Sequence, residues 1–223
     1  MRNNRTLHQR LGAALLFALV FMACSSQPGA APPPPPGSII SVTVNVTGPA
    51  SLAIGGTGLF EATVTQATDA SVTWSVRGPS GESAGVGSID PSGLFTAPAL
   101  VPADPNVIVT ATSRENPAAL AEVVARILPV VTVSGATTIA SGASHTFTAT
   151  VSGYADPQRR TVTWSVAPRS QGGPTGTINP ATGAYTAPVV AGNEIVTVVV
   201  TATSNHEPLA SGSRTLEVRG ENF

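Results

Sequence analysis

The chain has 223 residues, a formal net charge of −1, and charged residues at only 10% of its positions. Every basic residue is arginine, and no basic stripe follows the first segment, which argues against a nucleic-acid partner. Threonine, valine, alanine, glycine and proline are plentiful, which favours short strands and turns over helices. The single cysteine excludes an intramolecular disulfide and a cysteine-based metal site.

Residues 1–23 have the parts of a secretory signal peptide. Arginines lie within residues 1–10, an apolar run covers residues 11–23, and Cys24 follows Ala23. The apolar run is about 13 residues long, short of the ~20 needed to span a bilayer. We therefore predict a signal peptide that ends at Ala23.

Residues 24–38 are predicted to form an anchor and a tether. Phe21-Met22-Ala23-Cys24 resembles the lipobox of bacterial lipoproteins, in which the cysteine becomes the new N-terminus and carries the lipid. The resemblance implies a palmitate-type lipid on Cys24 and attachment to a membrane of the cell envelope, at the outer membrane or cell surface. Prolines 32–36 favour a stiff polyproline spacer. The alternative is a leader with an incidental cysteine.

The remaining chain contains two copies of one pattern. Ser71-Val72-Thr73-Trp74-Ser75-Val76 returns as Thr161-Val162-Thr163-Trp164-Ser165-Val166. A repeat of this length is a duplicated domain. We predict a first domain at 39–128, a second at 129–219 and a tail at 220–223, with a short proline-stiffened link that limits swing.

Alternating apolar and polar residues predict the strands of both copies. One buried face for each strand requires two sheets packed face to face. Asp90-Pro91-Ser92-Gly93 is a turn signal, and Asp90 and its counterpart Asn179 are expected to form Asx turns. The predicted strands lie at 42–46, 60–64, 72–76, 107–111 and 121–127, and then at 147–151, 162–166, 196–202 and 216–218.

The phrases at 72–76, 87–98 and 109–113 resemble the bacterial Ig-like domains of the group 2 type, found in surface proteins and adhesins. The resemblance covers nearly all of the chain after the tether. It implies an all-β fold of two tandem immunoglobulin-like β-sandwiches. It also implies a structural or interaction role, as a spacer or an adhesin-like module in cell adhesion.

Six aromatic residues fall into three matched pairs, and a residue that the fold needs should occur in both copies. We therefore predict that all six are core residues, with a ligand-stacking tryptophan as the alternative. The pairs are Trp74 with Trp164, Phe60 with Phe147, and Phe95 with Tyr185.

The loop at 153–160 is longer in the second copy than its counterpart in the first. It contains Tyr154, an aromatic residue with no counterpart, and the adjacent pair Arg159 and Arg160. Tyrosine and arginine often supply binding energy at interfaces. We predict that a protein or envelope partner, if there is one, contacts this loop; the alternative is a tolerated insertion.

No catalytic constellation can be assembled from the sequence. His145 and His206 do not recur between the copies and have no spacing typical of a metal site or a catalytic triad. We expect no enzyme activity, no cofactor and no metal site, although loop carboxylates leave Ca²⁺ as an alternative. A carbohydrate-binding or accessory module of a larger complex is the alternative function, which the shortage of free aromatic residues disfavours.

Overall fold

The computed structural model describes residues 41–220. The predicted signal peptide, Cys24, the tether and the last three residues of the predicted tail lie outside this range. Within it the chain is all-β, with one short 3₁₀ helix (Pro157–Arg160).

Each copy of the repeat contains nine strands. In the first copy they are β1 (Thr43–Thr47), β2 (Ser51–Ala53), β3 (Thr57–Leu59), β4 (Glu61–Thr65), β5 (Val72–Arg77), β6 (Ser88–Ile89), β7 (Leu94–Thr96), β8 (Asn106–Ser113) and β9 (Leu120–Leu128). In the second they are β10 (Val130–Ser134), β11 (Thr138–Ala140), β12 (Ser144–Thr146), β13 (Thr148–Ser152), β14 (Val162–Pro168), β15 (Thr177–Ile178), β16 (Ala184–Thr186), β17 (Ile195–Ser204) and β18 (Ser211–Arg219).

The two copies share one topology. In the first, a sheet of order β2-β9-β8-β5 packs against the two-stranded sheet β1-β4 and the three-stranded sheet β3-β7-β6. The second repeats this as β11-β18-β17-β14 against β10-β13 and β12-β16-β15. All pairs are antiparallel except β2 with β9 and β11 with β18. Each copy is therefore an immunoglobulin-like sandwich with its tryptophan on the strand at one sheet edge.

The two cores are built from the same aromatic positions. In the first sandwich Phe60 meets Phe95 edge to face, with ring centroids 6.0 Å apart. In the second, Phe147 lies 6.1 Å from Tyr185 and 6.4 Å from Trp164. These five side chains are buried.

Trp74 departs from this pattern, because it is only half-buried where Trp164 is 5% exposed. Trp74 still packs against the core of the first sandwich, as a partly buried side chain. Trp74 lines a groove between β4 and β5, which leaves part of its ring in contact with solvent.

The turn before β7 and its counterpart before β16 have the same construction. Asp90 Oδ1 accepts from Ser92 N at 2.8 Å and Leu94 N at 3.1 Å. Asn179 Oδ1 accepts from Ala181 N at 2.9 Å. These are the Asx turns expected from the sequence. Each turn packs against the tryptophan of its own sandwich, through Gly93 in the first copy and Gly183 in the second.

Candidate functional site

The ends of the two sandwiches meet at a joint, defined here by β9, the 153–160 loop and the loop that joins β17 to β18. The buried Pro129 alone separates β9 from β10. Val101 N donates to Gly153 O at 2.8 Å. At Gly153 φ is +105°, and a Cβ there would lie 2.9 Å from Ile54 Cδ1, so this close approach of the chains requires glycine. Both sandwiches belong to one compact unit.

An ion pair connects the sandwiches across the joint. Arg126 on β9 donates from Nη2 at 2.6 Å and from Nε at 2.8 Å to Glu207 Oε2, in the loop after β17. Asn106 Oδ1 accepts from Arg126 Nη1 at 3.3 Å. Glu207 is 2% exposed, so its carboxylate depends on this guanidinium for charge compensation. The hydrogen bonds to Glu207 also raise the pKa of Arg126.

Tyr154 fills the joint beside this pair. It is 5% exposed and belongs to the core of the second sandwich. The Arg159 guanidinium lies 5.1 Å from the centre of its ring, and the ring of the exposed His206 lies 6.4 Å away. Burial, followed by the charge of Glu207, raises the pKa of the Tyr154 hydroxyl. The phenol therefore stays neutral beside the ion pair at physiological pH.

The rest of the 153–160 loop is held by its own chain. Arg160 donates from Nε and Nη2 to Tyr154 O at 2.9 and 2.6 Å. Asp156 caps the 3₁₀ helix by accepting from Gln158 N at 2.9 Å. The expectation that Tyr154 is a free aromatic on a binding loop is wrong, because the additional residues fold inward to close the joint. A binding role for Arg159 and Arg160 stays a prediction.

Sequence reasoning missed Arg126 and Glu207. The signal that could have found them is their failure to recur between copies. Arg126 pairs with Asn106 in the ladder, and the matched position on β18 is Glu217, paired with Thr197. Glu207 N donates to Ser204 Oγ in the same way that Asn116 N donates to Ser113 Oγ, so Glu207 replaces an asparagine.

The two histidines have ordinary surroundings. His145 Nε2 accepts from Ala136 N at 3.0 Å, and its ring packs on Phe147 at 5.0 Å. Within residues 41–220 no group of three or more His, Cys, Asp and Glu side chains is placed to hold a metal ion. In the same range no helix has the length and apolar character needed to cross a bilayer.

No protein-family model and no curated protein matches the chain. Among solved structures it is similar to mouse cadherin-23 EC22-24, with 16% identity, a TM-score of 0.33, and coverage of 83% of this chain and 66% of that one. The protocadherin gamma-B4 extracellular domain is 16% identical, with a TM-score of 0.34 and coverage of 82% of this chain and 34% of that one. Sidekick-1 immunoglobulin domains 1–4 are 14% identical, with a TM-score of 0.33 and coverage of 82% of this chain and 49% of that one. The chain spans between about a third and two thirds of these structures, and the likeness concerns the fold alone.

Proposed function

We propose that this protein is a lipid-anchored bacterial cell-envelope protein whose two group 2 type Ig-like sandwiches act as a rigid structural and interaction module, without catalytic activity. The observation that supports a rigid module best is the joint, where a buried carboxylate of one sandwich takes its only ion-pair partner in the described chain from the other.

Each part of the chain has a role in this proposal. A lipid on Cys24 holds the protein at the membrane, and the proline-rich tether lifts the sandwiches away from it by roughly 15 Å. The sandwiches then form one unit that presents its surfaces at a set distance and orientation. A module of this kind serves as a spacer or as an adhesin-like display unit.

The joint limits rotation because its contacts are spread around the covalent link. The Val101–Gly153 hydrogen bond, the Arg126–Glu207 pair and the buried Tyr154 ring involve separate segments of both sandwiches. A rotation about Pro129 would break several of these contacts together. It would also leave Glu207 without charge compensation in a water-poor site.

Distance measurements test the rigid joint. In a Cys24→Ser background, Ser88→Cys and Thr177→Cys place spin labels at matched exposed positions on β6 and β15. Pulsed electron–electron double resonance measures the distance between the two labels. We expect a narrow distribution of this distance, and a broader one after Glu207→Gln. Glu207→Gln should lower the free energy of unfolding by ~1–2 kcal/mol. This is less than the ~3–5 kcal/mol lost when a fully buried ion pair is broken, because Arg126 is one-third exposed.

Glu217→Gln is the matched control. Glu217 pairs with Arg219 at 2.9 Å on the same strand and contributes nothing across the joint, so its removal should leave the distribution narrow. A distribution that is already broad before Glu207 is changed would contradict the rigid module.

A further inference from the structure

The outward face of β5, β8 and β9, called here the outer face, differs from the matched face of the second sandwich. Its side chains form register rows of Thr73, Thr112 and Leu120, of Ser75, Thr110 and Glu122, and of Arg77, Ile108 and Val124. The matched rows are Thr163, Thr203 and Ser211, then Ser165, Thr201 and Ser213, then Ala167, Val199 and Thr215. The second sandwich therefore presents small, mostly hydroxyl-bearing side chains where the first presents larger apolar side chains and two charges.

The apolar side chains of the outer face are not required by the fold. Leu120 is 51% exposed and Val124 is 53% exposed. Ser211 and Thr215 take their places on β18 in the same ladder, so the sheet forms without them. Val124 is also the register partner of the half-buried Ile108, and the two together make a continuous apolar surface. Apolar side chains that cluster on a surface without a role in folding indicate a contact with another molecule.

An ion pair lies among these apolar side chains. Arg77 Nη2 is 3.2 Å from Glu122 Oε1, and both side chains are 39% exposed. Thr110 Oγ1 donates to the same Oε1 at 3.0 Å, and Thr110 itself is buried, so the carboxylate is held in place on the face. An ion pair this exposed adds little to the stability of its own chain. It does fix a positive and a negative group side by side on the surface.

A surface of this kind is complementary to itself. In a two-fold contact the same patch is used on both partners, so a residue that meets a second residue is met by it in return. Arg77 of each copy can then approach Glu122 of the other, because diagonal neighbours on packed strands lie within reach of long side chains. The charges of the face sum to zero, so a strongly acidic or basic partner is not favoured.

We propose that the outer face is a contact between two copies of this chain, in which the two sheets pack face to face about a two-fold axis. Leu120, Ile108 and Val124 exclude water from the contact, and Arg77 and Glu122 each gain an opposite charge across it. The inference goes beyond the proposed function and needs neither the anchor nor the joint.

The contact is made by side chains and is small. In the described chain β8 pairs with both β5 and β9, and β9 pairs with both β8 and β2, so the centre of the face has no free backbone edge for an added strand. Contacts confined to a few strands lie at the low end of interface sizes and are weak. We therefore expect a dimer with Kd between about 10 μM and 1 mM.

Sedimentation equilibrium of lipid-free Cys24→Ser protein, over a range of concentrations, measures this dimer. Leu120→Ser with Val124→Thr imports the residues of the second copy, should fold as the parent does by circular dichroism, and should raise Kd at least tenfold. Val199→Thr is the matched control on the second sandwich and should leave Kd unchanged. In ¹⁵N spectra the amides of Ile108 and Val124 should shift with concentration, while the amide of Val199 does not.

Charge reversal tests the two-fold pairing. Glu122→Arg places like charges on both copies and should raise Kd at least tenfold. Arg77→Glu combined with Glu122→Arg makes the face self-complementary again and should return Kd to within about threefold of the parent. Glu207→Gln, which tests the joint, should dimerise as the parent does, so failure of one proposal is distinguishable from failure of the other.

The proposal is overturned by a parent that stays monomeric up to about 1 mM. It is overturned equally by a dimer that the Leu120→Ser, Val124→Thr variant leaves intact, or by one that the double charge reversal does not restore. A monomeric parent whose Ile108 and Val124 amides shift only when an envelope extract is added would assign the outer face to a different protein.

Discussion

Trp164 and Trp74 occupy one position in two environments. Trp164 is buried in its sandwich, and its backbone N–H donates to Pro180 O. Trp74 is half-buried and lines the groove between β4 and β5. The hydrophobic contribution of a side chain grows with the apolar area that it removes from water. The two tryptophans therefore contribute different amounts to the stability of their sandwiches.

Replacing each tryptophan by alanine measures this difference. Trp164→Ala should lower the free energy of unfolding by ~3–5 kcal/mol, the range for a buried aromatic side chain, and Trp74→Ala by ~2–3. Urea denaturation followed by far-ultraviolet circular dichroism gives both values. Equal losses would show that Trp74 is as well packed as Trp164, contrary to the groove seen beside it.

Tyr185 also differs from its counterpart, Phe95, by one buried hydroxyl. The hydroxyl donates to Thr175 O at 2.7 Å, and burial raises the pKa of Tyr185 to about 12. The ordinary value is ~10, so the folded chain holds this proton more tightly than the unfolded chain. Its contribution to stability is complete below pH ~10 and is lost as the pH rises towards about 12.

Alkaline titration tests this linkage. The chain has two tyrosines, and the pKa of Tyr154 is raised as well. We expect little tyrosinate absorbance at 295 nm near pH 10 while the protein is folded, and a rise that accompanies unfolding. Tyr185→Phe should reduce the alkaline fall in stability. A tyrosine that titrates normally in the folded protein would contradict the assigned burial.

At the scale of elements, the turns before β7 and β16 depend on one glycine each. Gly93 has φ +86° and Gly183 has φ +72°. A Cβ would lie 2.3 Å from Phe60 O in the first case and 2.7 Å from Phe147 O in the second. Both the backbone conformation and the space exclude a side chain.

Gly93→Ala and Gly183→Ala should each destabilise the protein by ~2 kcal/mol or more, since strain and a clash add together. Gly142→Ala is the control: its φ is also positive, but nothing lies within 4 Å of an added Cβ, so only the strain applies. Thermal denaturation of the three variants separates the two effects. A control as unstable as the turn variants would show that the clash is absent.

The strands that the sequence predicts are those with repeated alternation, such as β5, β8 and β17. The short strands β2 and β11 were missed. Three residues with one or two inward side chains carry no periodic signal, and their parallel pairing with β9 and β18 depends on a sheet edge formed much later in the chain. The edge tryptophans and the Asx turns could be predicted because they recur in both copies.

At the scale of the whole molecule, the proposed function depends on a lipid at Cys24. Cys24→Ser should move the protein from the membrane fraction to the soluble fraction, or leave the precursor uncut, because the lipid has no other cysteine to attach to. Fractionation and mass spectrometry of the mature N-terminus provide the measurement. Unchanged partitioning and processing would exclude lipidation at Cys24.

The sequence by itself determined the all-β class, the duplication and the shared aromatic core. These follow from period-2 alternation and from comparing one copy with the other, both of which are local in the chain. The inward direction of Tyr154 and the partial exposure of Trp74 were decided by tertiary structure. The Arg126–Glu207 pair joins residues 81 positions apart. Such features depend on which surfaces come into contact when the two sandwiches and their loops pack. The pattern of residues along one strand does not specify these long-range contacts.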